Sequence, residues 1–296
     1  MNDLALSTAI EDAMVQRNLR GMQVAQRALV PGYYMRAANA LRGVRGTVLI
    51  GTGFPVTHTF ETDGPVGAIA LYEALETLGA EPILACGPPL SRCIDGEYRV
   101  LELAARDVPA ARAEARANLD RLQPEAVISI ERPGLGADQR YYNMRGEDIT
   151  DRSAFFDAYL ELADCTTIAI GDGGNEIGMG NIRDAIATLD INASVTGCDE
   201  LLVADVSNWG AYGIIALLSH WCGTDLLQDI RPMEILAYLS SHGSVDGVTR
   251  ENTLTEDGLE AEEGQRVIME LRELCKLTRD QSENGPATEL DDNRGE

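Results

Sequence analysis

The 296-residue chain carries 48 acidic against 24 basic side chains, a net charge of −24, and 45% of its residues are apolar. That is enough apolar material for a sizeable core, in one large domain or two small ones. The surplus acid repels phosphate backbones and anionic membranes, so neither nucleic acid nor a membrane is an expected partner.

No apolar run is long enough to span a bilayer, and the opening MNDLALSTAIED has neither a secretory nor an Arg-rich transit pattern, so a cytoplasmic protein is expected. Lys276 is the single lysine. Acid-rich, lysine-poor composition resembles proteins of salt-accumulating halophiles, where salt screens self-repulsion; high genomic GC is the alternative. The six cysteines (86, 93, 165, 198, 222, 275) form no C-x-x-C pair, and the three histidines (58, 220, 242) are scattered, so neither a Cys-ligated zinc site nor a His-rich metal site is expected.

Along the chain, residues 3–30 show an amphipathic helical pattern broken at Gly21 and stopped by Pro31-Gly32, and 33–41 reads as a second helix. This segment, 1–45, packs either on the main domain or on another copy of the chain, a homo-oligomer. The first strand, 47–50, runs into Gly51, Thr52 and Gly53. The next loop holds His58, Glu61 and Asp63 before a helix over 65–78 that opens on proline. A backbone N–H cradle, two carboxylates and a helix N-terminus thus fall within one loop. Strand 82–86, a proline-rich loop, an outer helix over 109–122 and strand 126–130 follow. The last ends in Glu131 and Arg132: a carboxylate able to ligate a cation or receive an amine, and a guanidinium able to hold a carboxylate.

The loop 134–151 has no apolar period and is long for a compact domain, which favours a binding loop or lid. Its Tyr142, Asn143 and Arg145 suit a small charged metabolite, and of Tyr141 and Tyr142 one is expected to be a packing anchor. After a helix over 155–162 comes strand 166–170 and then GDGGNEIGMG, with five glycines in ten residues (171, 173, 174, 178, 180). Asp172, Asn175 and Glu176 set oxygen donors at the strand's carboxyl end, the kind that Mg²⁺ or Mn²⁺ prefers, and the N–H groups of Gly173 and Gly174 can hold an anion. A helix over 182–189, β-like runs at 194–198 and 200–204, and helices over 212–221 and 232–239 follow, with Ser207 and Asn208 at a helix start where capping is the simpler role. The region 259–277 reads as a surface helix and 281–296 as a disordered acidic tail. Strands alternating with helices, with Gly- and Asp-bearing loops at strand ends, give an α/β layered fold with a mostly parallel sheet over 46–280.

GDGGNEIGMG, taken with ETDGPVG (61–67), ERPG (131–134), YYNMRGED (141–148) and VSNWGAY (206–212), resembles the D-glutamate cyclase family, in the family's block order and over roughly residues 40–250. The resemblance implies a divalent-cation-assisted lyase that closes D-glutamate, a small anionic metabolite, to 5-oxo-D-proline with loss of water. It also raises Asn208, Glu61 and Asp63 above a merely structural role. On this reading Asp172, Glu176, Asn175 and Asp63 hold Mn²⁺ or Mg²⁺, and Glu131 or Glu61 moves the proton. Gly51–Gly53 or Gly173–Gly174 face the developing oxyanion, and Arg132 or Arg145 takes the α-carboxylate. Two other classes use similar residues: a metal-dependent phosphatase or phosphotransferase, and a non-catalytic binder of an anionic metabolite.

Overall fold

The computed structural model describes residues 1–189 and 191–277. Six strands form one sheet: β1 Thr47–Thr52, β2 Glu81–Cys86, β3 Val100–Glu102, β4 Ala126–Ile130, β5 Thr166–Gly171 and β6 Glu200–Val203. Every neighbouring pair is parallel, and the spatial order is β3-β2-β1-β4-β5-β6. This is the α/β layered architecture that the strand–helix alternation predicts. The four strands at 47–52, 81–86, 126–130 and 166–171 are near-continuous apolar runs because helices cover both faces.

In chain order the helices are α1 Asp3–Met14, α2 Met22–Ala28, α3 Tyr33–Leu41, α4 Pro65–Thr77, α5 Leu90–Ile94, α6 Val108–Leu122, α7 Asp157–Leu162, α8 Arg183–Ile186, α9 Ser207–Cys222, α10 Pro232–Ser241 and α11 Ala261–Leu274. α4 and α9 pack together on one face of the sheet, and α6 and α7 pair on the other. α9 is buried on almost every side because α1, α3 and α11 form a further layer over it. Two glycines make room for that sandwich. A Cβ at Gly210 would stand 2.4 Å from Ile170 Cγ2 of the sheet, and one at Gly213 would stand 2.5 Å from the Tyr34 ring of α3. The N-terminal helices therefore share one apolar core with the strands.

Several local expectations change. The run 3–30 breaks at Gly21 as expected, where α2 begins, but α1 already ends at Met14 and a turn covers 15–21. Residues 194–198 form no strand but are laced to loops, Val195 N–H donating to Leu135 O and Gly178 and Gly180 N–H to Thr196 O. The helix over 182–189 shrinks to α8 after a 3₁₀ turn, and α9 begins at Ser207 instead of 212. Strand β3, short and half-exposed, carries too little pattern to be read. The expected tail at 281–296 lies outside the described residues.

What positions the site is the register. Thr52 lies beside Ile130 and Ile130 beside Ile170, so β1, β4 and β5 end on one line. The chain runs from β1 outward to β2 on one side and returns to β4 on the other. The gap between them is the switch point where such sheets open a crevice at their carboxyl edge.

Candidate active site

Four of the six strands deliver a polar residue to that edge. β1 leads to Asp63 through the loop before α4, β4 ends directly in Glu131, β5 leads to Asp172, and β6 leads to Ser207 and Asn208. Asp63 and Asn208 tie two of these loops together. The Asp63 carboxylate accepts from the backbone N–H groups of Ser207 (3.0 Å) and Asn208 (2.8 Å), the free donors at the start of α9. The Asn208 side-chain oxygen accepts from Gly64 N–H (2.8 Å) and Gly67 N–H (2.7 Å), the free donors at the start of α4. Two helix N-termini thus converge behind the site, with their partial positive charge toward it. Ser207 Oγ donates to Glu131 Oε2 at 2.6 Å. Glu131 itself has φ 46, a left-handed backbone for a residue with a side chain, a strain that marks sites where geometry is imposed.

The carboxylates of Asp63, Glu131 and Asp172 are all buried, and one oxygen from each lies within 4.8 Å of the others. Opposed ligands of a hard cation stand roughly 4–5 Å apart, so the triad brackets a space of the right size. Asp172 is 2% exposed and its Oδ2 has no hydrogen-bond partner, an uncompensated buried acceptor of the kind a cation satisfies. All three donors are oxygens. The residues present therefore fit a divalent ion, and the buried triad could hold one.

Around the triad stand Glu61, Glu256 and Asp257, with one cation, Arg20, among them. Burial pushes the Glu61, Glu131 and Asp172 carboxyls well above the usual carboxylate range. Glu176 adds to the rise at Glu131, and Asp257 and Asp63 add to it at Glu61. Burial also raises Asp63, to about 7, against the pull of the α9 N–H groups, and Glu256, to about 8. Burial raises Asp257 too, but Arg20 beside it, with hydrogen bonds from Asp172 and Asp63, brings it below the usual carboxylate range. So many buried carboxyls cannot all be charged around one guanidinium; protons or a metal must supply the balance.

The pocket over this floor has a volume of about 170 Å³. Glu61, Glu131, Asp172, Asn175 and Asp257 line its depth, and Asn143, Arg145, Arg152 and Arg250 its mouth. Asn175 donates to Tyr142 O at 2.8 Å and leaves its own Oδ1 unpartnered. Arg145 and Arg152 donate to the backbone carbonyls of Val248 and Thr57, bonds that leave their charge uncancelled.

Other candidates are engaged elsewhere. The two Glu176 oxygens accept from Gly173 N–H (2.9 Å) and Gly174 N–H (2.7 Å), so these three residues close the glycine turn on itself. Arg132 is 1% exposed and donates to the carbonyls of Thr52, Gly53 and Ala154, bracing the loop after β1 from behind. Gly51 backs onto the Phe156 ring, and Thr52 Oγ1 is buried without a partner. Asn208 is fully buried, its Nδ2 donating to Glu256 at 2.9 Å, so it frames the site from behind the carboxylates. Tyr142 donates to Asp138 near the surface, whereas Tyr141 is buried against Phe155 and donates to Asp157, the packing anchor of the pair. His58 is exposed.

Arg20, Glu256 and Asp257 were not singled out from the sequence. Asp257-Gly258 is a turn signal, and Gly21 next to Arg20 marks a helix break, yet neither says that the segment returns to the sheet edge.

A family model described as D-glutamate cyclase-like, C-terminal, matches residues 10–272. The human protein named D-glutamate cyclase, mitochondrial, is 30% identical over 211 residues, 62% of this chain and 34% of that protein, so the match spans about a third of the relative's length. Among solved structures, an exopolyphosphatase-related protein from Bacteroides fragilis aligns over 85% of this chain and 62% of its own, with a TM-score of 0.41 and 10% identity.

Proposed function

The chain belongs to the D-glutamate cyclase-like family, and we propose that it closes D-glutamate to 5-oxo-D-proline with loss of water, with Mn²⁺ or Mg²⁺ held by Asp63, Glu131 and Asp172. The observation that carries this reading is a single small pocket with a carboxylate floor and an arginine mouth. Such a pocket suits a molecule bearing an ammonium group and two carboxylates.

In the reaction the α-nitrogen bonds to the γ-carboxyl carbon and one γ C–O bond breaks. The freed oxygen leaves as water with the two protons that the ammonium nitrogen gives up. The amine must be neutral and the carboxyl electrophilic, demands that oppose each other in bulk water. A bound divalent cation supplies Lewis acidity toward the γ-carboxyl oxygen. Glu61, on the pocket wall and pushed above the usual carboxylate range by burial, takes the ammonium protons in turn and passes them to the departing oxygen. Ser207 donates to Glu131 and holds that carboxylate in the triad. Arg145 and Arg152 at the mouth hold the α-carboxylate, and the loop 134–151 keeps the substrate bent toward its five-membered ring.

The test is incubation with D-glutamate, L-glutamate and a set of phosphate esters, each with Mn²⁺, followed by chiral chromatography and phosphate release. Lactam from D-glutamate supports the reading. Phosphate release without lactam replaces it with the phosphatase class.

A further inference from the structure

Arg20 stands among the acids beside the triad and bridges two of them. Its Nη1 lies 2.6 Å from Asp172 Oδ1 and 2.6 Å from Asp257 Oδ2, so one nitrogen bridges carboxylates from two separate loops. Glu61 lines the same pocket as Arg20, Asp172 and Asp257, which gives this half of the cluster three acids. Asp172 is divided between the halves. Its Oδ1 faces Arg20 and its Oδ2, buried and without a partner, remains for the triad. The guanidinium is held there by construction. The turn before it is pinned by Asp205, which accepts from Arg17 N–H (2.8 Å) and Leu19 N–H (3.3 Å), while Arg17 lies over the Trp209 ring.

We propose that Arg20 is a resident cation filling the second position of the acidic cluster, so that the site takes a single divalent ion and the N-terminal segment completes it. The inference rests on the metal reading above and goes beyond it in fixing the metal count and in giving the turn between α1 and α2 a part in the site. A guanidinium cannot dissociate or lose its proton at working pH, so it is a fixed positive charge between Asp172 and Asp257. Replacing it with an uncharged side chain leaves three buried acids facing one another, a vacancy that a second hard cation fits.

Calorimetric titration with Mn²⁺ alone, beside electron paramagnetic resonance of the loaded protein, tests this on the full chain. The wild type and Arg20→Lys should each bind about one ion with an isolated Mn²⁺ spectrum, and Arg20→Met about two, as a spin-coupled pair. Two ions in the wild type overturn the proposal. So does one ion in Arg20→Met at unchanged affinity, although the metal reading then stands. No binding by the wild type at millimolar Mn²⁺ removes the metal reading itself and this inference with it. If circular dichroism shows that Arg20→Met does not fold, the wild-type count decides: one sustains the proposal and two overturn it.

Discussion

Asp63 and Asn208 each cap the helix that the other one begins. The Asp63 carboxylate closes the start of α9, and the Asn208 carbonyl oxygen closes the start of α4. The exchange fixes the loop after β1 to the loop after β6, and it places Asp63 in the acidic triad with no freedom of its own.

Asn208→Ala removes the one oxygen that two N–H groups at the start of α4 share, and one donor to Glu256. It should cost about 2–3 kcal/mol in urea unfolding. Asp63→Asn retains one acceptor oxygen, so its stability loss should be about 1 kcal/mol. Because that amide carries no charge, Mn²⁺ affinity should fall by roughly tenfold or more. Equal stability losses with metal affinity intact would confine Asp63 to capping.

Glu61→Gln keeps the length of the side chain but cannot carry a proton. Lactam formation from D-glutamate should fall by about 10²–10⁴ in kcat, with the melting temperature close to wild type. Ser207→Ala should weaken Mn²⁺ binding, because a hydrogen bond that favours the ionised Glu131 is gone. Unchanged Mn²⁺ affinity would separate Ser207 from the triad.

Arg132→Met should act on stability first. The guanidinium satisfies three loop carbonyls in a fully buried setting. Leaving them unpaired costs about 1–3 kcal/mol each, so a total loss near or above 3 kcal/mol is expected by urea titration. A large rise in KM with unchanged stability would instead put Arg132 on the substrate.

In metal-free protein Asp63 sits at about 7 and Glu256 at about 8 because of burial, whereas unfolded carboxyls titrate near pH 4. Between these limits the folded state keeps protons that the unfolded state has lost. Their stabilising contribution is complete below about pH 4 and is lost as pH rises through 7 to 8. The melting temperature of chelated protein should therefore fall from pH 5 to 8.5. Mn²⁺-loaded protein should fall less, since the ion supplies the balancing charge. The comparison between the two removes the general repulsion of a −24 chain, which both forms share. Parallel curves would contradict a cation at the triad.

The sequence made the sheet readable because its central strands are apolar runs that end in Gly- and Asp-bearing turns. Those turns are the site edge, so Asp63, Glu131 and Asp172 could be found as strand-end residues. The direction of their neighbours could not. Glu176 sits two residues past the turn glycines and folds back on their N–H groups, and Arg132 turns behind the sheet to meet carbonyls. Both outcomes depend on which donors and acceptors the tertiary fold leaves unpaired. The resemblance raises Asn208 above a cap of the helix that it starts, and its side chain caps α4 instead, far away in sequence. Arg20 and Asp257 lie 237 residues apart and meet only through the packing of α1, α9 and α11.

The most direct test is turnover of D-glutamate to 5-oxo-D-proline by wild type and Asp172→Asn, each measured after exhaustive chelation and again after Mn²⁺ is restored. The account predicts a chelated wild type without turnover, recovery on addition of Mn²⁺, and an Asp172→Asn protein that folds, binds the ion poorly and stays inactive. Full turnover in the chelated wild type, or in Asp172→Asn, would contradict a metal centre built on Asp63, Glu131 and Asp172.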